Sequence, residues 1–219
     1  MSDLHFTLLA DGSSDRALLP ILTWLLQQQG VMRAIQPEWA DLGRLRRRPR
    51  TLAERIIAAL QLYPCNLLCI HRDAERESFD LRHAEIERAL NEIAHKHDDL
   101  PAAVCVVPVR MQEAWLLFDE IAIRTAAGNP RGRQDIQLPR MTDVERLPDP
   151  KETLRQAIRV ASGLNGRRLH RLEFSTQRVA ELIDDFSPLR ALPAFQMLEQ
   201  ELKQLVNQYG WNREVPSVV

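Results

Sequence analysis

Cysteine is scarce in this sequence and does not come in pairs: Cys65, Cys69 and Cys105 are all there is. An odd count without paired spacing argues against a disulfide framework, and Cys65 and Cys69 lack the partner spacing of a zinc site. Cys69 in "NLLCI" and Cys105 in "AVCVVPV" sit in apolar runs and are expected to be buried core thiols of a reduced, cytoplasmic protein. Long apolar runs are missing too. The longest, "ALLPILTWLL", is about half of what a membrane span needs, so no membrane partner is expected. The start "MSDLHFTLLADG" has neither a basic opening nor a cleavable apolar segment, which predicts no secretion signal. There is no excess charge of one sign: the formal net charge is -1. Any polyanion must therefore be met by local clusters. Aromatic residues are 5% of the chain, and none interleaves with a basic run to stack bases. There is no "GxxxxGK[ST]" and no "GxGxxG" after the first strand, which argues against a P-loop ATPase and a dinucleotide fold. Ser13 and Ser14 lack the setting of a nucleophile elbow.

What is there is an ordinary globular composition, 45% hydrophobic and 27% charged over 219 residues. That is enough for one large domain, or a domain with an appendage. "LHFTLLA" reads as a short buried strand. Ser13 or Ser14 can cap the helix after it, where Leu18, Leu19, Leu22, Leu25 and Leu26 recur at helical spacing until Gly30. "VMRAIQP" is a candidate second strand, and Thr51 caps a helix to about residue 62. "CNLLCIHRDAE" and "AAVCVVPV" are strong strands. The amphipathic helix between them covers about 80–97, with Ile86, Leu90 and Ile93 on one face. "MQEAWLLF" looks like the start of another helix. Near-continuous apolar strands alternating with helices predict an α/β fold whose mostly parallel sheet is flanked by helices. The expected division is a core over 1–127, a Pro-, Arg- and Gly-rich loop over 128–149, a helical C-terminal extension packed on the core over 150–210, and a loose tail over 211–219.

Acids gather where these strands end. The first strand leads to Asp11 and Asp15, the second to Asp73 and Glu75, and the third to Glu113. In parallel sheets ligands bind beyond these ends. Two carboxylates about 5 Å apart repel by roughly 3 kcal/mol at an effective dielectric near 20, which a bound cation or a proton relieves. Oxygen-rich sites suit Mg²⁺ or Mn²⁺, and such ions serve phosphate chemistry. Taken singly, Asp11 and Asp15 also read as helix-capping acids, Asp73 and Glu75 as solvated partners of Arg72 or Arg76, and His71 as a core-edge histidine. Trp115 reads as core.

The ordered set "LLADGSSD", "LLCIHRDAE", "VPVRMQEAWLLFD" and "DPKETL" resembles the Toprim-like family, most closely bacterial Toprim-related proteins that accompany ATPases in phage-defence loci. The resemblance spans about residues 4–160. It implies a Toprim/Rossmann-like fold and divalent-metal-dependent cleavage of a nucleic-acid phosphodiester. It also implies a separately encoded ATPase partner and a role in antiviral defence, and it is compatible with a homodimer. Asp11, Asp73 and Glu113 take the catalytic, metal-holding places, with Asp15, His71 and Glu75 as further ligands. Two positions depart from the family pattern. Asp11 stands where the family has Glu, and His71 replaces the first acid of its "DxD". Histidine is a poor Mg²⁺ ligand, so a non-catalytic subunit that binds nucleic acid or protein through a degenerate site is the alternative. A third reading makes "DGSSD" a phosphate nest of a nucleotide-binding module.

Arg44, Arg46, Arg47, Arg48 and Arg50 in "GRLRRRPR" form the densest charge run. They are a solvated loop or a strip that holds a phosphate backbone. Arg131, Arg133, Arg167, Arg168 and Arg171 could extend such a surface.

Overall fold

The structure, a computed structural model, describes residues 3–74, 77–95, 97 and 99–213. Strand β1 (Leu4–Leu9) leads through a 3-10 turn (Ser13–Ala17) into α1 (Leu18–Gln28). Gly30, at φ 76, ends that helix in the left-handed conformation that glycine adopts without steric cost. Strand β2 (Ile35–Trp39) follows, then α2 (Leu52–Leu62), β3 (Leu67–His71), α3 (Phe79–Ala94) and β4 (Ala102–Val106). The four strands form one all-parallel sheet of order β2-β1-β3-β4. This is the expected α/β architecture. The order reverses between β1 and β3. That makes the gap between their carboxyl ends the switch point where such sheets take ligands.

Strand placement explains which segments the apolar pattern reveals. Strand β3 is central and buried at every residue, so it reads as a continuous apolar run. Strand β2 lies at an edge with three exposed residues and carries Pro37, which an edge tolerates because one side of it donates no ladder bond. Its sequence therefore gives little signal, and it falls at 35–39, later than the expected 31–37.

Beyond β4 the chain is helical: α4 (Glu120–Ala126), α5 (Pro150–Ser162), α6 (Gly166–His170), α7 (Thr176–Glu181) and α8 (Pro193–Gln208). Two cores sandwich the sheet. One joins Leu4, Phe6, Leu8, Cys69 and Val104 to α1 and to α4, α5, α7 and α8. The other joins Leu68, Ile70 and Cys105 to Ile56 of α2 and to Ile86 and Ile93 of α3. Each fully buried Leu or Phe contributes on the order of 1.5–3 kcal/mol. Burial of Cys69 and Cys105 is as expected, and it pushes the Cys105 thiol up to about 12.

Three local expectations need correction. "MQEAWLLF" does not start a long helix but makes a 3-10 turn, Gln112–Leu116, all five residues of which are buried. The 128–149 segment is packed rather than featureless. Ile136 and Val144 lie in the core, Met141–Arg146 forms a 3-10 turn, and the Asn129 side chain donates to the Ala161 carbonyl at 2.9 Å. The tail is not loose at its start, because Trp211 is 4% exposed and its carbonyl accepts from the Met32 N–H at 3.2 Å. No helix among the described residues is long and apolar enough to cross a membrane.

Candidate functional site

The parallel sheet brings the ends of β1, β3 and β4 to one edge. His71 is the last residue of β3 and only 2% exposed. Its Nδ1 lies 2.9 Å from the Val106 carbonyl at the end of β4. A carbonyl can only accept, so Nδ1 carries the proton and donates it. Nε2 is thereby left as the atom that faces the site. It lies 3.4 Å from Asp73 Oδ1 and 4.0 Å from Asp15 Oδ2.

Asp15 is buried and does more than favour a helix start. Its Oδ2 accepts from the Gly12 N–H at 2.8 Å, and its Oδ1 accepts from Ser14 Oγ at 3.2 Å and from Gln112 Nε2 at 2.8 Å. Asp15, and neither Ser13 nor Ser14, thus closes the turn over Gly12. Its carboxylate takes the Gly12 amide, one of the N–H groups that a phosphate nest in "DGSSD" would use. Asp73 Oδ1 accepts from the Gln112 N–H at 3.1 Å. One residue, Gln112, therefore holds both acids, through its side chain and its backbone.

Glu113, 3% exposed, is presented by the same turn. The turn is anchored by Trp115, which is fully buried and packs edge-on to Phe195 of α8, centroids 5.4 Å apart. The chain reaches it through Arg110, at φ 68 the single left-handed non-glycine among the described residues. Such backbone costs on the order of 1–3 kcal/mol and gathers at functional sites.

The electrostatics follow from this crowding. Asp73 is raised from 3.8 to about 6, chiefly by burial. His71 works against the rise, while the Asp15 and Glu113 charges add to it. Glu113 is also raised, first by burial, with Lys151 opposing. Asp15, His71, Asp73 and Glu113 thus act on one another as a single cluster.

Asp11 has different partners. It is half exposed and pairs with Arg55 of α2 and, at 3.5 Å, with Arg72. Arg55 also donates to the Ala10 carbonyl at 2.7 Å. Beside this pair opens a cavity of about 480 Å³, lined among others by Gly12, Ser13, Arg48, Arg50 and Arg55. Of the arginine run, Arg48 and Arg50 face this cavity, and Arg47 joins them in a second hollow with Glu54. Arg46 is exposed, and Arg44 is spent on Asp41 at 2.8 Å. Glu75 lies outside the described residues.

The sequence reading missed Gln112, Arg55 and Lys151. Gln112 could have been suspected from its place beside Glu113 in a strand-end segment. Arg55 carries no such signal, since it lies 44 positions from Asp11 in an ordinary amphipathic helix.

The residue types here suit a divalent ion, but no three of Asp15, His71, Asp73 and Glu113 bring ligand atoms within 4.8 Å of one another. Three carboxylates face an imidazole whose outer nitrogen is free of the backbone, and the oxygen of the Gln112 amide beside them is buried and unpaired. An uncompensated buried acceptor next to clustered acids is relieved by a cation or an ordered water. The imidazole favours Mn²⁺ over Mg²⁺. Compared with protein-family models, curated proteins and solved structures, the chain matches none.

Proposed function

We propose that the protein cleaves nucleic-acid phosphodiesters with a divalent ion, Mn²⁺ or Mg²⁺, at the β1/β3 edge, in the manner of Toprim enzymes. The observation that carries this reading is the convergence of Asp15, His71, Asp73 and Glu113 near the switch point, where burial and the neighbouring acid charges raise Asp73 and Glu113 against the pull of His71 and Lys151. Asp15, His71, Asp73 and Glu113 would hold the ion. When bound, it supplies charge neutralisation at phosphorus and lowers the pKa of water. Gln112 keeps Asp15 and Asp73 in register, and the Val106 carbonyl fixes the tautomer of His71. Arg48, Arg50 and Arg55, in the neighbouring cavity, receive the phosphate backbone, while Asp11 positions Arg55 and is not itself a ligand. The Toprim resemblance adds a separately encoded ATPase as partner and a role in phage defence. The free cysteines fit a reducing cytoplasm.

A second reading is favoured by the 3.4 Å contact between His71 Nε2 and Asp73. A protonated His71 would supply a positive charge of its own, and the protein would be a non-catalytic binding subunit whose acids need no ion. Calorimetric titration with Mn²⁺ and a plasmid-cleavage assay separate the two. The enzyme binds Mn²⁺ and cuts, and His71→Asp shifts its preference toward Mg²⁺. A protein that takes up neither ion and cuts nothing, alone or with its ATPase, is the binding subunit.

A further inference from the structure

We propose that a second divalent ion, of the zinc class, is held between α3, β4 and α8 by His83, Glu87, Cys105 and Glu201. His83 and Glu87 are four residues apart on α3, so their side chains leave the same face. A nitrogen of His83, a carboxylate oxygen of Glu87 and Sγ of Cys105 all lie within 4.8 Å of one another, the one such group of three among the described residues. Glu201 arrives from α8, with its Oε1 3.1 Å from His83 Nε2. It and Glu87 are the charged groups that act on the Cys105 sulfur. Four donors therefore meet from three elements widely separated in the chain.

Their chemistry selects the ion. Mg²⁺ and Ca²⁺ take oxygen, whereas a thiol, an imidazole and carboxylates together suit Zn²⁺ or Co²⁺. Zn–N near 2.0–2.1 Å and Zn–S near 2.3 Å place tetrahedral donors roughly 3.3–3.8 Å apart. Closing the site from 4.8 Å thus needs a movement on the order of 1 Å, within reach of a half-buried histidine and two flexible glutamates. The two carboxylates act on the buried sulfur with His83 beside them, and a divalent ion would balance their charge. Bound there, it would tie α8 and α3 to the outer strand of the sheet. Cys105 directly precedes Val106, whose carbonyl orients His71, so the ion would also stiffen the strand end beneath the acid cluster. None of its donors belongs to that cluster, and the proposal does not rest on the nuclease reading.

The test uses the full chain, stripped with a chelator, in an Asp73→Asn background that weakens the other cluster. Zn²⁺ is titrated by calorimetry, and Co²⁺ by absorption, where a thiolate-to-cobalt charge-transfer band reports a cysteine ligand. The expected result is one Zn²⁺ per chain at about 10⁻⁷ M or tighter and a cobalt band of thiolate character. Cys105→Ser should abolish the band, and Glu201→Gln should weaken Zn²⁺ binding roughly 10–100-fold. If Cys105→Ser does not fold, His83→Gln, at a partly exposed position, should weaken both signals instead. Absence of Zn²⁺ binding, cobalt binding without the thiolate band, or unchanged affinity in these variants overturns the proposal.

Discussion

Asp11 and Asp15 are four residues apart in one turn, yet they meet opposite surroundings. Asp11 is half exposed between the guanidinium groups of Arg55 and Arg72. Asp15 is buried with Asp73 and Glu113, and the nearest cationic candidate is His71 at 4.0 Å. The arginine flank has settled its charges, and the acid cluster has not. Burying like charges together costs stability unless something else joins them. The same edge of the sheet thus divides into a part fit to bind anions and a part fit to bind a cation. A phosphodiester with its metal requires both, side by side.

The sharpest way to break this comparison is Asp73→Asn, which removes one charge at nearly constant shape. The asparagine Oδ1 can still accept from the Gln112 N–H, so the local fold is kept. In the Mn²⁺-supported cleavage assay activity should fall on the order of 100-fold or more, because a direct ligand is lost. Unchanged activity would remove Asp73 from the site.

The same variant tests the acid cluster without any metal. A carboxyl raised from 3.8 to about 6 stabilises the fold while protonated. That contribution is complete below pH 3.8 and is lost as pH rises through about 6. The loss is on the order of 3 kcal/mol. The metal-free Asp73→Asn protein should therefore melt close to wild type near pH 4 and increasingly above it toward pH 8. For a chain of this size the gap should reach about 6–12 °C. A variant that melts below wild type at pH 8 would mean that Asp73 serves as a structural ion-pair partner.

On the other flank, Arg48→Ser with Arg50→Ser removes the two arginines that line the cavity beside Asp11. If both touch phosphates, the log–log salt slope for duplex DNA should flatten by roughly 2, and affinity at 0.1 M salt should drop about 10–100-fold. Filter binding across a salt series measures both. Melting temperature should hold, because both side chains project from a loop.

How much of this was legible in the sequence depended on burial and on distance along the chain. β1, β3 and β4 showed themselves as apolar runs because helices cover both their faces, and once they are parallel the acids after them must share an edge. That much placed Asp15, His71, Asp73 and Glu113. β2 was shifted because an exposed edge strand has no core face to write into its pattern. The turn at Gln112–Leu116 read as a helix because five buried residues in a row show no period, and the strained Arg110 before it leaves no mark on composition. The pairing of Asp11 with Arg55 had no signal, since nothing nearby in the chain revealed Arg55. Gln112 drew no attention in the sequence, and only the fold puts both its side chain and its backbone on acids. Ion pairs and amide bridges join distant segments, and one sequence does not display them.

The smallest expected effect sharpens the arginine side of the comparison. Arg44 belongs to the same dense run as Arg48, so a reading based on charge density gives the two equal weight. The structure does not. The Arg44 side chain is 89% exposed, and its Nε is 2.8 Å from Asp41 three residues earlier. It is absent from the cavity lining that includes Arg48 and Arg50. An exposed pair of this kind contributes about 0.2–1 kcal/mol at most. Arg44→Ser should thus shift the melting temperature by no more than a few degrees. It should also leave the DNA salt slope at the wild-type value, whereas each cavity arginine that contacts a phosphate changes it by roughly 0.9. The measurement is the same salt series, run for Arg44→Ser and Arg48→Ser in parallel. If the two variants weaken binding equally, the run acts as a diffuse positive cloud, and the cavity beside Asp11 has no special part in holding the phosphate backbone.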